Sequence, residues 1–310
     1  MARTVLLGML LAVAACKPAP GIPTTNPDTG AAVPAEATTV APATSTVLRY
    51  DAAARTLRQK GHLELTQRGA GQYAEAVVDL EASVAIEPKG DRLEVVWKVG
   101  DVTNLELGGA LQQDGDDTKG FLEQHGIGAY LSDLRGQAEV DPELSQNVER
   151  ESKLAAMRQQ IADATAAGQP APILPGLQML SYLPPLLQLP TLPEEALPLN
   201  EPVVVRREEE TELGTTGLVL PFDVEVKYTL VRIDASGGSR LAEMVFEASA
   251  SGSQDGPGGE IVIESLQKGS LLFDLSRKIP VSYESTRTET IEMGQFSGET
   301  ETTIRTSWEE

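Results

Sequence analysis

Apolar residues occupy every second position through Ala74, Ala76, Val78, Leu80, Ala82, Val84 and Ile86, with Glu75, Asp79, Glu81 and Ser83 between them. Successive side chains of a strand point to opposite faces, so this period predicts one long strand with a wet face and a covered one. Pro88-Lys89-Gly90-Asp91 interrupts the run, and Leu93, Val95, Trp97 and Val99 resume it, which predicts a hairpin. His62-Leu63-Glu64-Leu65-Thr66 predicts the strand before, joined through the glycines at 69–71. In the C-terminal third, Val224, Val226, Tyr228 and Leu230 alternate with Glu225, Lys227 and Thr229, and further strands are expected at 241–250, 261–263, 269–275, 280–293 and 299–308. The last two are mostly Thr, Glu and Arg. Threonine suits a pleated strand, but such strands bury little, so they should be solvated on one face and thinly covered on the other.

The middle of the chain has a different pattern. Phe121, Leu122, Ile127, Tyr130, Leu131 and Leu134 predict one or two short helices over 121–134. Asp141 before Pro142 is a helix opening, a capping carboxylate followed by a residue whose missing N–H costs nothing there. Leu144, Val148, Leu154, Met157 and Ile161 then form an amphipathic stripe that ends before Gly168. Residues 173–199 are rich in Leu and Pro, and the repeated prolines forbid a long helix, so short turns carrying many leucines are expected. The order is strands, an insert at about 119–199, then strands. No repeat at fixed spacing separates the β regions at about 47–112 and 200–310, so they are expected to be halves of one sheet. The fold class expected is α+β: a curved, mainly antiparallel β-sheet with a helical, Leu/Pro-rich insert.

The N-terminus is a separate unit. Arg3 is followed by the apolar run Val5-Leu6-Leu7-Gly8-Met9-Leu10-Leu11-Ala12-Val13, the basic-then-apolar order of an export signal. It ends in Val13-Ala14-Ala15-Cys16, which resembles the lipobox of bacterial lipoproteins. The resemblance implies cleavage before Cys16 and a lipid on its thiol, so residues 1–15 are expected to be a lipoprotein signal peptide and Cys16 the lipid attachment site. Lys17 is not the Asp that retains such proteins at the inner membrane in the enterobacterial version, which favours the outer membrane. Residues 16–45 are mainly Pro, Ala, Thr and Gly, too poor in apolar groups to offset ordering entropy. They are expected to be a disordered linker carrying a β-rich domain at 46–310. Within that domain, Gly269-Ser270-Leu271-Leu272-Phe273-Asp274 and the Leu192-Pro193-Glu194-Glu195 passage loosely resemble β-rich bacterial lipoproteins of uncharacterised function; that similarity implies no activity.

Composition narrows the function classes. The formal net charge of −21 over 310 residues repels phosphate backbones, so nucleic acid is not expected as a partner. Cys16 is the sole cysteine, which rules out an intramolecular disulfide. His62 and His125 are the only histidines, and neither sits in a nucleophile or zinc arrangement, so each is expected to be solvated or hydrogen-bonded. Asp114-Gly115-Asp116-Asp117 lacks the later ligands of a calcium loop and reads as an acidic surface turn. The acidic runs at 208–210 and 299–301 read as solvated faces. No phosphate loop or nucleophile elbow is present. The sequence therefore predicts no catalytic residue, no metal and no cofactor.

The densest apolar segment is 173–192. Leu180, Tyr182, Leu183, Leu186, Leu187 and Leu189 are the candidate contacts of an apolar ligand, as a lid over a cavity; the plainer reading makes them the layer that covers the sheet. The expected function is that of a lipid-anchored, non-enzymatic envelope protein, joined to the membrane by its lipid and binding either a lipid or another envelope protein. The alternative is an envelope enzyme or carbohydrate-binding module with a site of distant carboxylates.

Overall fold

The computed structural model describes residues 45–69, 71–109, 111, 115–139, 183–213, 218–235, 239–256, 259–294 and 296–310. Its strands are β1 (Ser45–Thr46), β2 (Arg55–Gly69), β3 (Gln72–Lys89), β4 (Arg92–Gly109), β5 (Ile127–Ser132), β6 (Ala138–Glu139), β7 (Leu197–Pro198), β8 (Pro202–Leu213), β9 (Leu218–Asp234), β10 (Leu241–Gly256), β11 (Gly259–Asp274), β12 (Ile279–Met293) and β13 (Phe296–Glu309). The helices among the described residues are α1 (Gly115–His125) and the short α2 (Pro184–Leu187). The lipobox, Cys16, the linker up to 44, and the helix expected from Asp141 to Gly168 lie outside the described residues, as do Leu180 and Tyr182.

Eleven strands form one antiparallel sheet in the order β6-β5-β4-β3-β2-β13-β12-β11-β10-β9-β8. The two β regions are thus halves of a single sheet, joined where the last strand pairs with β2, from Gly298 opposite Gly69 to Glu309 opposite Arg58. The period-two pattern explains the strand length. It runs unbroken through β3, whose alternate residues Ala74 to Ile86 are all buried. Gly90, at φ 68°, supplies the left-handed turn conformation that β-hairpins favour, and β3 folds back on β4 through it.

The expected α+β class is corrected by the structure: among the described residues about 73% are in strands and 7% in helices, so the fold is nearly all-β. Among the described residues of the expected insert, the helical reading fails at 126–134. The helix stops at His125, and after Gly126 the chain re-enters the sheet as β5, pairing Ile127–Ser132 with Lys98–Leu93 of β4. The open edge of β4 wins over the helical spacing of the leucines, an override of local pattern by tertiary pairing. Gly128 permits it, because a Cβ there would overlap the Trp97 indole. Gly115 to Asp117, expected as a surface turn, form the first turn of α1.

The sheet is strongly curled. From β5 to β11 there are six inter-strand steps, which on a flat sheet is roughly 29 Å. Yet Tyr50 alone spans the gap. Its N–H donates to Leu134 O, just past β5, at 2.8 Å, and its ring packs edge-on against Phe273 of β11 with centroids 5.6 Å apart. A single tyrosine reaches both only if the sheet rolls into a trough.

Residues 183–200 strap this trough from edge to edge. Leu189 N–H donates to the Tyr130 hydroxyl on β5 (2.8 Å), and Leu192 N–H donates to Arg135 O (2.7 Å). The Tyr50 hydroxyl donates to Pro190 O at 2.7 Å. Further on, β7 pairs with β1, and Asn200 N–H donates to Leu230 O on β9 at 2.8 Å. Under the strap, Leu183, Leu186 and Leu187 have no exposed surface. Leu186 rests on Gly61 of β2, where a Cβ would come within 3.0 Å of its side chain.

Leu186→Ala should therefore destabilise the domain by about 2–5 kcal/mol, the range for deleting a buried leucine that its surroundings cannot refill. Urea unfolding of the variant against the wild type measures this.

Candidate functional site

Register assigns every strand residue to the inner or the outer face of the trough. One inner row crosses the C-terminal half through Val203, Tyr228, Phe246, Gly269 and Ser285 to Ile304. The next contains Val205, Val226, Ala248, Gln267, Arg287 and Thr302, and the one beyond it Arg207, Val224, Ala250, Ser265, Glu289 and Thr300. These last two rows are a polar belt. They separate the main core, under the strap, from a smaller cluster of Leu220, Phe222, Ile261, Ile263 and Ile291 toward the other end.

The belt is internally paired. Arg287 Nε donates to Ser265 Oγ at 2.9 Å, and its guanidinium also bonds Glu289, whose side chain is only 13% exposed. On β8 Arg207 pairs with Glu209. Gln267 Nε2 donates to the Tyr283 hydroxyl at 3.1 Å. Burial pushes the Tyr283 phenol above its ordinary range, against the pull of its hydrogen bonds to Ser285 and Gln267, so that it stays neutral. Burial does the same to Tyr228.

A cavity of about 270 Å³ opens between the belt and the strap. Its apolar wall includes Val224, Val226, Tyr228, Met244, Phe246 and Leu271; its polar groups include Arg207, Glu209, Ser265, Gln267 and Arg287; and Pro190 and Thr191 of the strap border it. Gly269 leaves room for the Phe246 ring, which lies nearly parallel to Tyr283 with centroids 5.8 Å apart.

The expected contact residues lie beside this cavity rather than around it. Leu183, Leu186, Leu187 and Leu189 are buried in the main core, and the strap meets the cavity one residue further on, at Pro190. Sequence reasoning misses Arg207, Glu209, Arg287 and Glu289: Glu209 reads as part of a solvated acidic run, Arg287 and Glu289 as part of a thinly covered strand, and Arg207 is not singled out. A signal was present in their parity. Arg207 and Glu209 fall in phase with Val203 and Val205, and Arg287 and Glu289 in phase with Tyr283, Ile291 and Met293, all of which face inward.

On the outer face, His62 is held between two carboxylates, Nδ1 2.6 Å from Asp79 and Nε2 2.7 Å from Glu64, and Arg305 bridges Glu64 to Glu284. His125 packs against the Phe121 ring. Among the described residues no group of three or more His, Cys, Asp or Glu is placed to hold a metal ion, and no helix is long and apolar enough to cross a membrane. No family model matches the chain, and no curated protein matches it in sequence.

Partial burial disfavours the His62 imidazolium, but the hydrogen bonds to Glu64 and Asp79 outweigh it and raise its pKa. A group with a raised folded-state pKa contributes stability that is fully present below its unfolded pKa, about 6.5, and is lost as pH rises through the folded value. Unfolding midpoints measured between about pH 6 and pH 9 should fall in the wild type across that window. His62→Gln should lack this component of the slope.

Proposed function

We propose that the chain is a lipid-anchored protein of the bacterial cell envelope that binds an apolar ligand in the trough of its sheet and catalyses no reaction. The observation that carries this reading is the cavity between strap and belt. One side of it, Val224, Val226, Met244, Phe246 and Leu271, is apolar, and Arg207, Glu209, Ser265, Gln267 and Arg287 line the rest, so that it joins a concave apolar wall to polar groups that can orient a ligand, as small-molecule sites do. Such a wall favours this reading over a carboxylate cleft for sugar or hydrolytic chemistry. The anchor rests on Val13-Ala14-Ala15-Cys16, and Lys17 favours the outer membrane. With a Pro/Thr/Ala linker of some thirty residues, at roughly 3 Å each, the domain would reach up to ~90 Å from the bilayer.

Ala248 faces inward beside the cavity, so Ala248→Phe should fill it. Binding of the neutral dye Nile red to the full chain in lipid nanodiscs, with empty discs subtracted, should weaken on the order of tenfold, about 1.4 kcal/mol. The melting temperature should fall by no more than ordinary overpacking allows. A wild-type chain that binds no apolar probe overturns the ligand reading. Separately, Cys16→Ala should abolish palmitate labelling and release the protein from the membrane fraction; equal labelling of the variant overturns the anchor.

A further inference from the structure

We infer that the cavity accepts a single-chain amphiphile whose anionic head, a carboxylate or a phosphate, is held by Arg287, with Arg207 as the second cation of the site. This rests on the binding function proposed above and adds the chemistry of the ligand. Arg287 occupies an inward position in β12 between Ser285 and Glu289, with the apolar Ile291 and Met293 further along the same face. The guanidinium is held there by Ser265 and Glu289 and keeps part of its surface open to the cavity. Of its five N–H donors, one is spent on Ser265 Oγ and one on Glu289, which leaves others for an acceptor. Its side chain is 37% exposed, while Glu289 is 13% exposed: the cation reaches the open side and the carboxylate sits behind it. Arg207 and Glu209 repeat the arrangement on β8, at 40% and 19%.

Apart from Val224, one row beyond it, and Val226, in its own row, the apolar wall lies on the strap side of Arg287. The row beside it toward the strap carries Tyr228 and Phe246, and the row after that Met244 and Leu271. Two rows are roughly 13 Å along the strands, and they end beneath Pro190 and Thr191. A head at Arg287 therefore sends its tail along Phe246 to the strap. The volume of about 270 Å³ lies at the small end of ligand pockets, which run ~300–1,000 Å³, and suits one chain rather than two. A guanidinium fork binds carboxylate and phosphate alike, so the head is assigned by charge.

The test compares dodecanoic acid, dodecyl phosphate and neutral dodecanoyl glycerol for binding to the full-length chain in nanodiscs, with empty discs subtracted. In the wild type at least one anion should bind about tenfold tighter than the glycerol ester, the effect of one hydrogen bond to a charged group. Preference for the acid alone assigns a carboxylate head, and preference for the phosphate alone a phosphate head. Arg287→Gln should bring the anions down to the level of the neutral ester and leave the ester unchanged. Glu289→Gln should tighten the anions, because it frees the guanidinium from its partner. Each ratio is taken within one variant, so partial loss of folded protein cancels. Equal binding of all three by the wild type, or an unchanged ratio in Arg287→Gln, overturns the head assignment while leaving apolar binding intact. Failure of all three to bind overturns both.

Discussion

The contact on which this architecture depends is the one that Tyr50 makes between two distant parts of the same sheet. An antiparallel sheet of long strands has its own twist, but twist alone does not bring its margins together. Here one phenol is pinned by its backbone to the chain after β5, by its ring to Phe273 and by its hydroxyl to Pro190. Deep burial holds that phenol neutral, raising its pKa well above the ordinary value, so the bridge does not titrate near neutrality. The strap continues the same task with backbone hydrogen bonds to both flanks. Because those bonds satisfy groups that would otherwise be buried without partners, the segment can pass over the core as irregular chain despite its prolines.

The trough so formed is filled unevenly. Under the strap, Leu183, Leu186 and Leu187 fill it. In the middle, the belt of Arg, Glu, Gln, Ser and Thr replaces apolar packing with paired charges, and the core splits into two clusters. A half-exposed pair of this kind is weak as a source of stability, since solvent screening and partial desolvation offset most of its attraction. A sheet selected for stability alone would continue Ile, Val and Leu through those rows. On the binding function proposed above, the belt exchanges cohesion for a surface that recognises polar groups.

Much of this was legible in the sequence, and what was not has physical causes. The strands at 74–86, 93–99 and 224–230 are readable because one face is wet and the other dry, so their alternation is clean. The strand at 261–274 divides into two readings because Ser265, Gln267 and Gly269 occupy its inward positions, and an inward polar residue looks the same as a turn. The same confusion hides the belt: Arg207 and Glu209 stand in a run of charges, and only strand phase distinguishes an inward Glu209 from an outward Glu208. β5 escaped because its pattern fits a helix, and only pairing with β4 decides. The curl itself has no local signature. It is held by Tyr50, Phe273 and Pro190, which are far apart in the chain.

The junction of the sheet at β2 and β13 sets the order in which this protein can be completed. Contacts such as Arg305 with Glu64 join residues 241 positions apart, and the strand that makes them is the last 14-residue element of the chain. Until it is present, β2 exposes a bare edge of some fifteen residues, a template for pairing with other chains. The two half-sheets, each a local meander, can assemble early, but their union requires closing a loop of 241 positions, the slowest kind of step in β topologies. A chain cut short near its C-terminus therefore loses more than one strand. It loses the seam between the halves, and with it the roll of the sheet that brings the margins together.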